Sequence, residues 1–223
     1  YNVQRRNFAM AMTQGMGIVW ADPLGEGALC EEAQWDEIGI MEDIVAERWA
    51  ARRENPSVAP ETPDLVVVYD ERARIYVKND VQVHTALLQE TRDAVLRTGV
   101  AAQFCLLDDF LDDIVPRAPN YLFLNLLLLD TKTRAMLHAR LAEEKAAAIW
   151  RYAPGYFSDE VSGTEAVSAT VRMQVRTSGT AETAGSVFAI DGAWLAGGEA
   201  FGKPAAWNPL FYVDDDAADV LAH

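Results

Sequence analysis

Four acidic side chains stand close together near the amino terminus, and carboxyl groups carry the chemistry of glycoside hydrolysis. They are Asp22, Glu26, Glu31 and Glu32. That chemistry needs two carboxyl groups, roughly 5 to 9.5 Å apart, beside the bond that is cleaved. Neighbouring positions in a loop set no such separation, and acidic residues are frequent throughout this chain. The cluster therefore defines no catalytic pair by itself.

A second place for chemistry is the segment 146–157, AAAIWRYAPGYF, in which an apolar run opens into a tight turn. An α/β hydrolase carries its nucleophile at such a turn, between a strand and a helix. Here the turn offers Ala153, Pro154 and Gly155, and Ser158 comes too late along the chain. Pro154 and Gly155 suit the two central positions of a type II turn. We therefore expect a structural turn without a nucleophile.

Three aromatic side chains surround this turn: Tyr152, Tyr156 and Phe157. Grouped at one edge of a sheet, they would suit a contact surface for another domain or subunit better than they would suit solvent. The alternative is that the chain after Phe157 folds back and covers them.

The remaining reactive side chains form no catalytic set. Cys105 lies in a predicted strand, where its expected role is that of a small buried hydrophobe. His84 and His138 lie in predicted helices, and His223 is the last residue of the sequence. No glycine-rich phosphate or dinucleotide motif is present, and no His/Cys pair has metal-ligand spacing. We therefore predict no catalytic residue, no metal site and no cofactor.

The composition limits the classes of partner. The 223 residues carry 34 acidic and 19 basic side chains, for a formal charge of −15. Such a charge argues against binding to nucleic acid or to an anionic membrane surface. No apolar run reaches the roughly 20 residues that a membrane-spanning helix needs. The cellular compartment cannot be read from the sequence.

Residues 1–55 predict a helix, a short strand and a second helix. The first helix has an apolar face at Val3, Phe8 and Met12, and the strand, in 16–22, ends before Pro23. In the second helix, apolar residues recur every three or four positions, at Trp35, Ile38, Met41, Val45 and Trp49. Prolines mark 56–64 as a linker.

Residues 65–223 predict one α/β domain. Apolar segments at 64–70, 100–107, 121–129 and 146–152 alternate with amphipathic helices at 81–98 and 131–145. Continuous apolar strands between such helices are typical of a parallel sheet that is covered on both faces. We predict four or five mostly parallel strands, Gly99 as a helix terminator and Thr131 as a helix N-cap. The domain is expected to be truncated at its carboxyl terminus.

The segment 106–160 resembles β-galactosidase-like glycoside hydrolases. Its LLDD (106–109), FLN (123–125) and YAPGY (152–156) pieces are similar to a pattern in the domain that follows the catalytic barrel of that family. Upstream, 5–25 is similar to the last helix and strand of the barrel, and 208–221 to a strand near the far end of the later domain. The sequence departs from the family at Ala21, where the family has Phe, and at Glu144, which precedes Lys145 where the family has Gly.

This resemblance implies a flavodoxin-like trimerisation-type domain, akin to glutamine amidotransferases without their nucleophile, preceded by the end of a (β/α)8 barrel. Such a domain packs against the barrel and neighbouring subunits, so a homo-oligomer is expected. Trp20 and Asp22 would contact the carbohydrate substrate in the parent protein, because aromatic faces suit the apolar face of a pyranose. The chain alone would be inactive, since the barrel strands that carry the family's catalytic glutamates are absent.

Two other functions stay open at this stage. One is an independent amidotransferase-like or esterase-like α/β hydrolase, which the missing nucleophile disfavours. The other is a small-molecule sensor of flavodoxin-like fold, which the absence of a phosphate loop disfavours.

Overall fold

A computed structural model describes residues 2–13, 16–22, 24–27, 29–55, 62–77, 85–178, 182–184, 187–188, 200–201, 205–207 and 209–219. The chain divides into two compact units, Tyr1–Pro63 and Asp64–His223. We call them the amino-terminal and carboxyl-terminal units. None of the described helices is long and apolar enough to cross a membrane.

The amino-terminal unit contains two helices, α1 (Asn2–Thr13) and α2 (Glu32–Glu54). They are joined by a bidentate ion pair between Arg5 and Glu37, at 2.6 and 2.8 Å. The Arg48 guanidinium also donates to the Met12 carbonyl, 2.7 Å away. The helix predictions are therefore confirmed for this unit.

The predicted strand between these helices is wrong. Residues 16–22 carry no regular secondary structure, and the Val19 side chain is 89% exposed. A strand is held by backbone hydrogen bonds to a neighbouring strand. The described part of this unit contains no strand, so an apolar segment such as GIVW has no neighbouring strand with which to pair.

The carboxyl-terminal unit is built on a four-stranded sheet. Its strands are β1 (Leu65–Tyr69), β2 (Ala102–Leu106), β3 (Asn120–Leu124) and β4 (Ala147–Trp150). Their spatial order is β2-β1-β3-β4, and all three pairings are parallel. The parallel direction confirms the prediction from the strand pattern, and the order is that of the flavodoxin-like fold that the resemblance implied.

Helices cover both faces of this sheet. They are α3 (Glu90–Thr98), α4 (Leu107–Leu111) and α5 (Thr131–Glu144), and a π-helical turn (Thr85–Gln89) leads into α3. Val66 and Val68 of β1 share a core with Phe110 of α4 and Leu137 of α5. Val67 points to the other face and packs with Val95 of α3. This alternation of buried side chains fixes the strand register, because a slip by one residue would reverse the two faces.

Two helix boundaries depend on single residues. Gly99 has a φ of 75° and ends α3, as predicted. The predicted N-cap Thr131 is wrong by one position, because the Asp130 carboxylate accepts the hydrogen bond from the Thr133 amide at 2.6 Å.

The third strand is shorter than the apolar run from which it was predicted. Asn125 has a φ of 57°, so the extended backbone ends at Leu124 rather than at 129. The residues beyond it are nevertheless buried, since Leu126, Leu127 and Leu129 are each at most 5% exposed.

Smaller elements follow the sheet. A 3-10 helix (Arg72–Tyr76) comes directly after β1, and α6 (Thr164–Val171) leads into β5 (Val175–Thr177). β5 pairs antiparallel with β10 (Phe211–Val213). Between them lie two short antiparallel pairs: β6 (Glu182–Ala184) with β9 (Ala205–Trp207), and β7 (Val187–Phe188) with β8 (Ala200–Phe201).

Candidate functional site

The turn after β4 is a closed structural turn, as predicted. The Tyr156 amide donates to the Ala153 carbonyl across 3.2 Å, and Gly155 has a φ of 73°, which suits the third position of a type II turn. The Gly155 amide also donates to the Leu126 carbonyl at 2.6 Å. A Cβ at Gly155 would collide with the Thr170 hydroxyl oxygen. The turn therefore has no room for a nucleophilic side chain at this position.

The three aromatic residues at this turn pack within the chain. Tyr152 and Tyr156 each make an edge-to-face contact with Phe211 of β10, with ring centroids 5.1 and 5.6 Å apart. Phe157 lies 5.0 Å from the ring of Tyr76. All three pack against one cluster that includes Val167, Val175 and Phe211, which follow Phe157 in the chain. The chain after Phe157 therefore folds back over these aromatic residues, as the alternative prediction stated. The prediction of a free contact surface at this turn is wrong.

Three candidate nucleophiles and bases among the described residues, Cys105, Ser158 and His138, are committed to other roles, whereas His84 and His223 lie outside the described residues. Burial raises the pKa of the Cys105 thiol to about 12, so the thiolate that reacts is suppressed at neutral pH. Ser158 donates to Asp159 and accepts from Arg134. The His138 Nε2 lies 2.8 Å from the Thr170 carbonyl, to which it must donate. These contacts connect no hydroxyl or thiol to a histidine.

The ends of β1 and β3 meet at the place where the strand order reverses. In an open α/β sheet, the crevice at such a point is the usual position of a ligand. Asp70 follows β1 and Asn125 follows β3. Both residues are buried, with exposed fractions of only 2% and 3%. The Asn125 amide nitrogen donates to the Asp70 carbonyl at 3.2 Å.

Asp70 is paired with one arginine, Arg72. Its Oδ1 accepts hydrogen bonds from the Arg72 amide at 3.0 Å and from the Arg72 Nε at 2.9 Å. The guanidinium also lies 3.5 Å from an exposed carboxylate, that of Asp108. The hydrogen bond to Asp70 raises the pKa of Arg72, and the charges of Asp108 and Asp130 add to that rise. The carboxylates of Asp70 and Asp108, which follow β1 and β2, thus both lie beside Arg72, at 2.9 and 3.5 Å.

The predicted sugar-contact residues lie in the amino-terminal unit. Trp20 lines a groove of about 450 Å³ together with apolar side chains of α1 and α2, among them Phe8, Met41 and Trp49. The Asp22 carboxylate accepts from the amides of Glu26 and Gly27, at 3.3 and 2.7 Å, and so organises the loop 22–27. The structure therefore gives Trp20 an apolar environment and Asp22 a local backbone role.

Sequence reasoning missed Asp70 and Asn125. A signal was present, because each is a polar residue at the carboxyl end of an apolar segment, in VVVYD and YLFLN. Carboxyl ends of parallel strands lie along one edge of a sheet, so the two polar positions could have been placed together. In the part of the chain that the structure describes, no three His, Cys, Asp or Glu side chains are grouped to hold a metal.

Comparison with known proteins gives a distant structural similarity. No protein-family model matches the sequence, and no curated protein does. Among solved structures, the chain is similar to a β-galactosidase from Bifidobacterium adolescentis, with a TM-score of 0.40 and 14% sequence identity. The match covers 50% of this chain and 52% of that protein, so the similarity spans about half the length of each.

Proposed function

We propose that this chain is a non-catalytic accessory part of a β-galactosidase-like glycoside hydrolase, which packs against the catalytic barrel and against neighbouring subunits. The observation that carries this proposal is the turn after β4. In an α/β hydrolase this position would hold the nucleophile. Here it is closed by backbone hydrogen bonds, and Gly155 lies against Thr170 without room for a side chain.

The positions of the family-like sequence pieces support this proposal. LLDD (106–109) follows β2, FLN (123–125) ends β3, and YAPGY (152–156) follows β4. The three pieces are far apart in sequence, but each lies at the carboxyl end of a strand of the same parallel sheet. We infer that the three pieces resemble the family as a set because they occupy equivalent places in one sheet.

The amino-terminal unit supports a role in assembly. Its described buried residues are only Ala11, Ile38, Met41 and Pro63, whereas large apolar side chains are exposed along the whole of α2. Trp35, Ile40, Ile44 and Trp49 are 46 to 58% exposed. Exposed apolar surface of this kind marks sites of contact with other protein. We propose that this unit is the end of the barrel and that the rest of the barrel covers it.

In the intact parent, Trp20 and Asp22 would lie at the substrate side of that barrel. Trp20 would stack on a sugar ring, for which an aromatic face is suited. Asp22 would hold the loop that follows, through its bonds to the Glu26 and Gly27 amides.

Hydrolysis of a chromogenic β-galactoside tests the non-catalytic part of the proposal. The purified chain should show no turnover above a buffer control, because the described residues of the amino-terminal unit include no strand that could hold a pair of carboxylates. Turnover that persists through purification, and that Asp22→Asn or Glu26→Gln removes, would contradict the proposal. Asp43→Asn, an exposed substitution on α2, is the matched control for the loss of one carboxylate.

A further inference from the structure

A small pocket lies between α5 and α6 in the carboxyl-terminal unit, and its volume is about 150 Å³. Its polar lining consists of one basic side chain, one hydroxyl and two acidic side chains, those of Arg134, Ser158, Glu160 and Glu165. Its apolar lining consists of small aliphatic side chains, those of Val161, Ala166 and Ala169. The pocket therefore brings charges of both signs to one small space.

The Arg134 guanidinium is held by neutral groups alone. Its Nε donates to the Thr170 hydroxyl at 3.1 Å, and its Nη2 donates to the Leu129 carbonyl and the Ser158 hydroxyl, at 3.4 and 3.3 Å. Among the described residues, Nη1 makes no hydrogen bond and no carboxylate forms an ion pair with Arg134. A charge that is partly removed from water is normally paired with an opposite charge. The half-buried Arg134 therefore keeps donors for an anionic group in the pocket that it lines.

The two glutamates have the opposite requirement. Glu160 and Glu165 are exposed, and neither forms an ion pair with another described residue. A simple anion in the pocket would meet two carboxylates, and a simple cation would meet Arg134. The lining therefore favours a ligand that carries one charge of each sign.

The size of the pocket restricts this ligand to a small zwitterion. An α-amino acid carries a carboxylate and an ammonium group on one carbon, and both are charged at neutral pH. The volume of about 150 Å³ leaves room for a side chain of few carbons. Such a side chain would find apolar neighbours in Ala166 and Ala169, which line the same space.

We propose that this pocket binds a free α-amino acid with a small aliphatic side chain, such as L-alanine. Arg134 binds its carboxylate, and Glu160 and Glu165 bind its ammonium group. This site is independent of the proposed assembly role, since it requires neither the barrel nor a second subunit.

The test is a titration of the isotope-labelled chain with L-alanine, followed by NMR at constant pH and ionic strength. The backbone amides of Glu165 and Ala166 should shift and saturate, with a dissociation constant on the order of 1 mM, because the ligand has few atoms. Acetate and ethylammonium each offer only one of the two charges. Each should bind at least about tenfold more weakly than L-alanine.

Variants of the charged side chains test the two halves of the site separately. Arg134→Gln should weaken the binding of L-alanine at least about tenfold, and the double variant Glu160→Gln, Glu165→Gln should do the same. Glu47→Gln, the same change on exposed α2, should bind L-alanine like the wild type.

A variant that fills the pocket keeps the test decisive if Arg134→Gln fails to fold. Ala169 is exposed and lines the pocket, so Ala169→Phe occupies the space and leaves the hydrogen bonds of Arg134 in place. It should abolish the binding of L-alanine. Ala135→Phe, an exposed change on α5 outside the lining, should bind like the wild type.

Three results would overturn the proposal. Without saturable shifts in the wild type, the two glutamates only balance the charge of Arg134 across the pocket. Acetate that binds as tightly as L-alanine would reveal a simple anion site. L-alanine that still binds to Ala169→Phe would occupy another part of the molecule.

Discussion

At the residue scale, Gly155 has the least room for a side chain among the described glycines. An Ala there would require a non-Gly residue at a φ of 73° and would push its Cβ into the Thr170 hydroxyl. Thr170 cannot easily move, since it is bonded to Arg134 and to the Ala166 carbonyl. We expect Gly155→Ala to lower the free energy of unfolding by about 2 kcal/mol or more, measured by urea denaturation.

Gly99 provides the matched control for this prediction. It has nearly the same backbone, with a φ of 75°, but nothing lies within 4 Å of an added Cβ. Gly99→Ala should therefore cost only the backbone strain, about 1 kcal/mol. Equal losses for the two variants would show that the turn after β4 is not packed as described.

The cysteines differ in reactivity because of their burial. Cys30 is exposed and Cys105 is buried, and the pKa of Cys105 is raised from 9.0 to about 12. A thiol reagent at pH 8 should therefore modify one cysteine in the folded protein and both in denaturant. Modification of both at the same rate in the folded protein would contradict the burial of Cys105.

The same pKa shift has a consequence for stability. The unfolded chain releases the Cys105 proton near pH 9.0, whereas the folded chain keeps it until about pH 12. Stability falls wherever the unfolded state binds fewer protons, so this thiol should lower the free energy of unfolding as the pH rises through that interval. Cys105→Ala should flatten the decline, which denaturation at pH 8 and at pH 10 would measure.

Residues whose roles are local were predictable from the sequence, whereas those whose roles depend on the fold were not. Pro154 and Gly155 specify a turn by their own backbone preferences, and Gly99 ends a helix for the same reason. Asp70 and Asn125 are 55 positions apart in sequence, and they come into contact only because β1 and β3 pair in the folded sheet. No local propensity distinguishes them from other polar residues at the ends of apolar segments.

At the element scale, the cap of α5 gives a pH-dependent prediction. Hydrogen bonds from Thr133 lower the pKa of Asp130 below its usual 3.8. The ionised Asp130 carboxylate therefore stabilises the folded state fully above about pH 4. This contribution is lost as the pH falls through the pKa of Asp130 in the folded state. Asp130→Ala should cost about 1 kcal/mol at pH 7, whereas Asp130→Asn, which also caps helices, should cost little. Equal losses for the two variants in urea denaturation would contradict this cap.

Buried and exposed apolar residues of α2 predict effects of mutation that differ in size. Met41 is 3% exposed, whereas Ile40 and Ile44 are 56% and 46% exposed. Met41→Lys should lower the free energy of unfolding by roughly 3 kcal/mol, because it buries a charge. Ile40→Lys and Ile44→Lys should each cost about 0.5 kcal/mol or less. A large loss from either Ile variant would mean that this face already lies in a core of this chain.

The segment 16–22 shows why an element can be predicted wrongly from a correct pattern. Its apolar residues suit a strand, as the sequence indicated. A strand forms only with a partner, however, and the described residues of the amino-terminal unit include none. The helices α1 and α2 were predictable because their hydrogen bonds lie within each helix.

At the scale of the whole molecule, the alternation of apolar strands and amphipathic helices was enough to predict a parallel α/β sheet. Short connections restrict such a sheet to few topologies, and the order β2-β1-β3-β4 is one of them. The function could not be read in the same way, since one fold supports many functions and only a site can distinguish them. The closed turn after β4 is the main evidence from the site.

Light scattering of the purified chain over a wide range of concentrations tests the proposed assembly role most directly. The wild type should associate beyond a monomer as its concentration rises, because contact between copies would bury the exposed apolar side chains of α2. The double variant Ile40→Lys, Ile44→Lys should shift the mass back to that of the monomer, with an unchanged circular dichroism spectrum. A wild type that remains monomeric at the highest concentration, with the same mass as the double variant throughout, would contradict the proposal that this unit is an assembly surface.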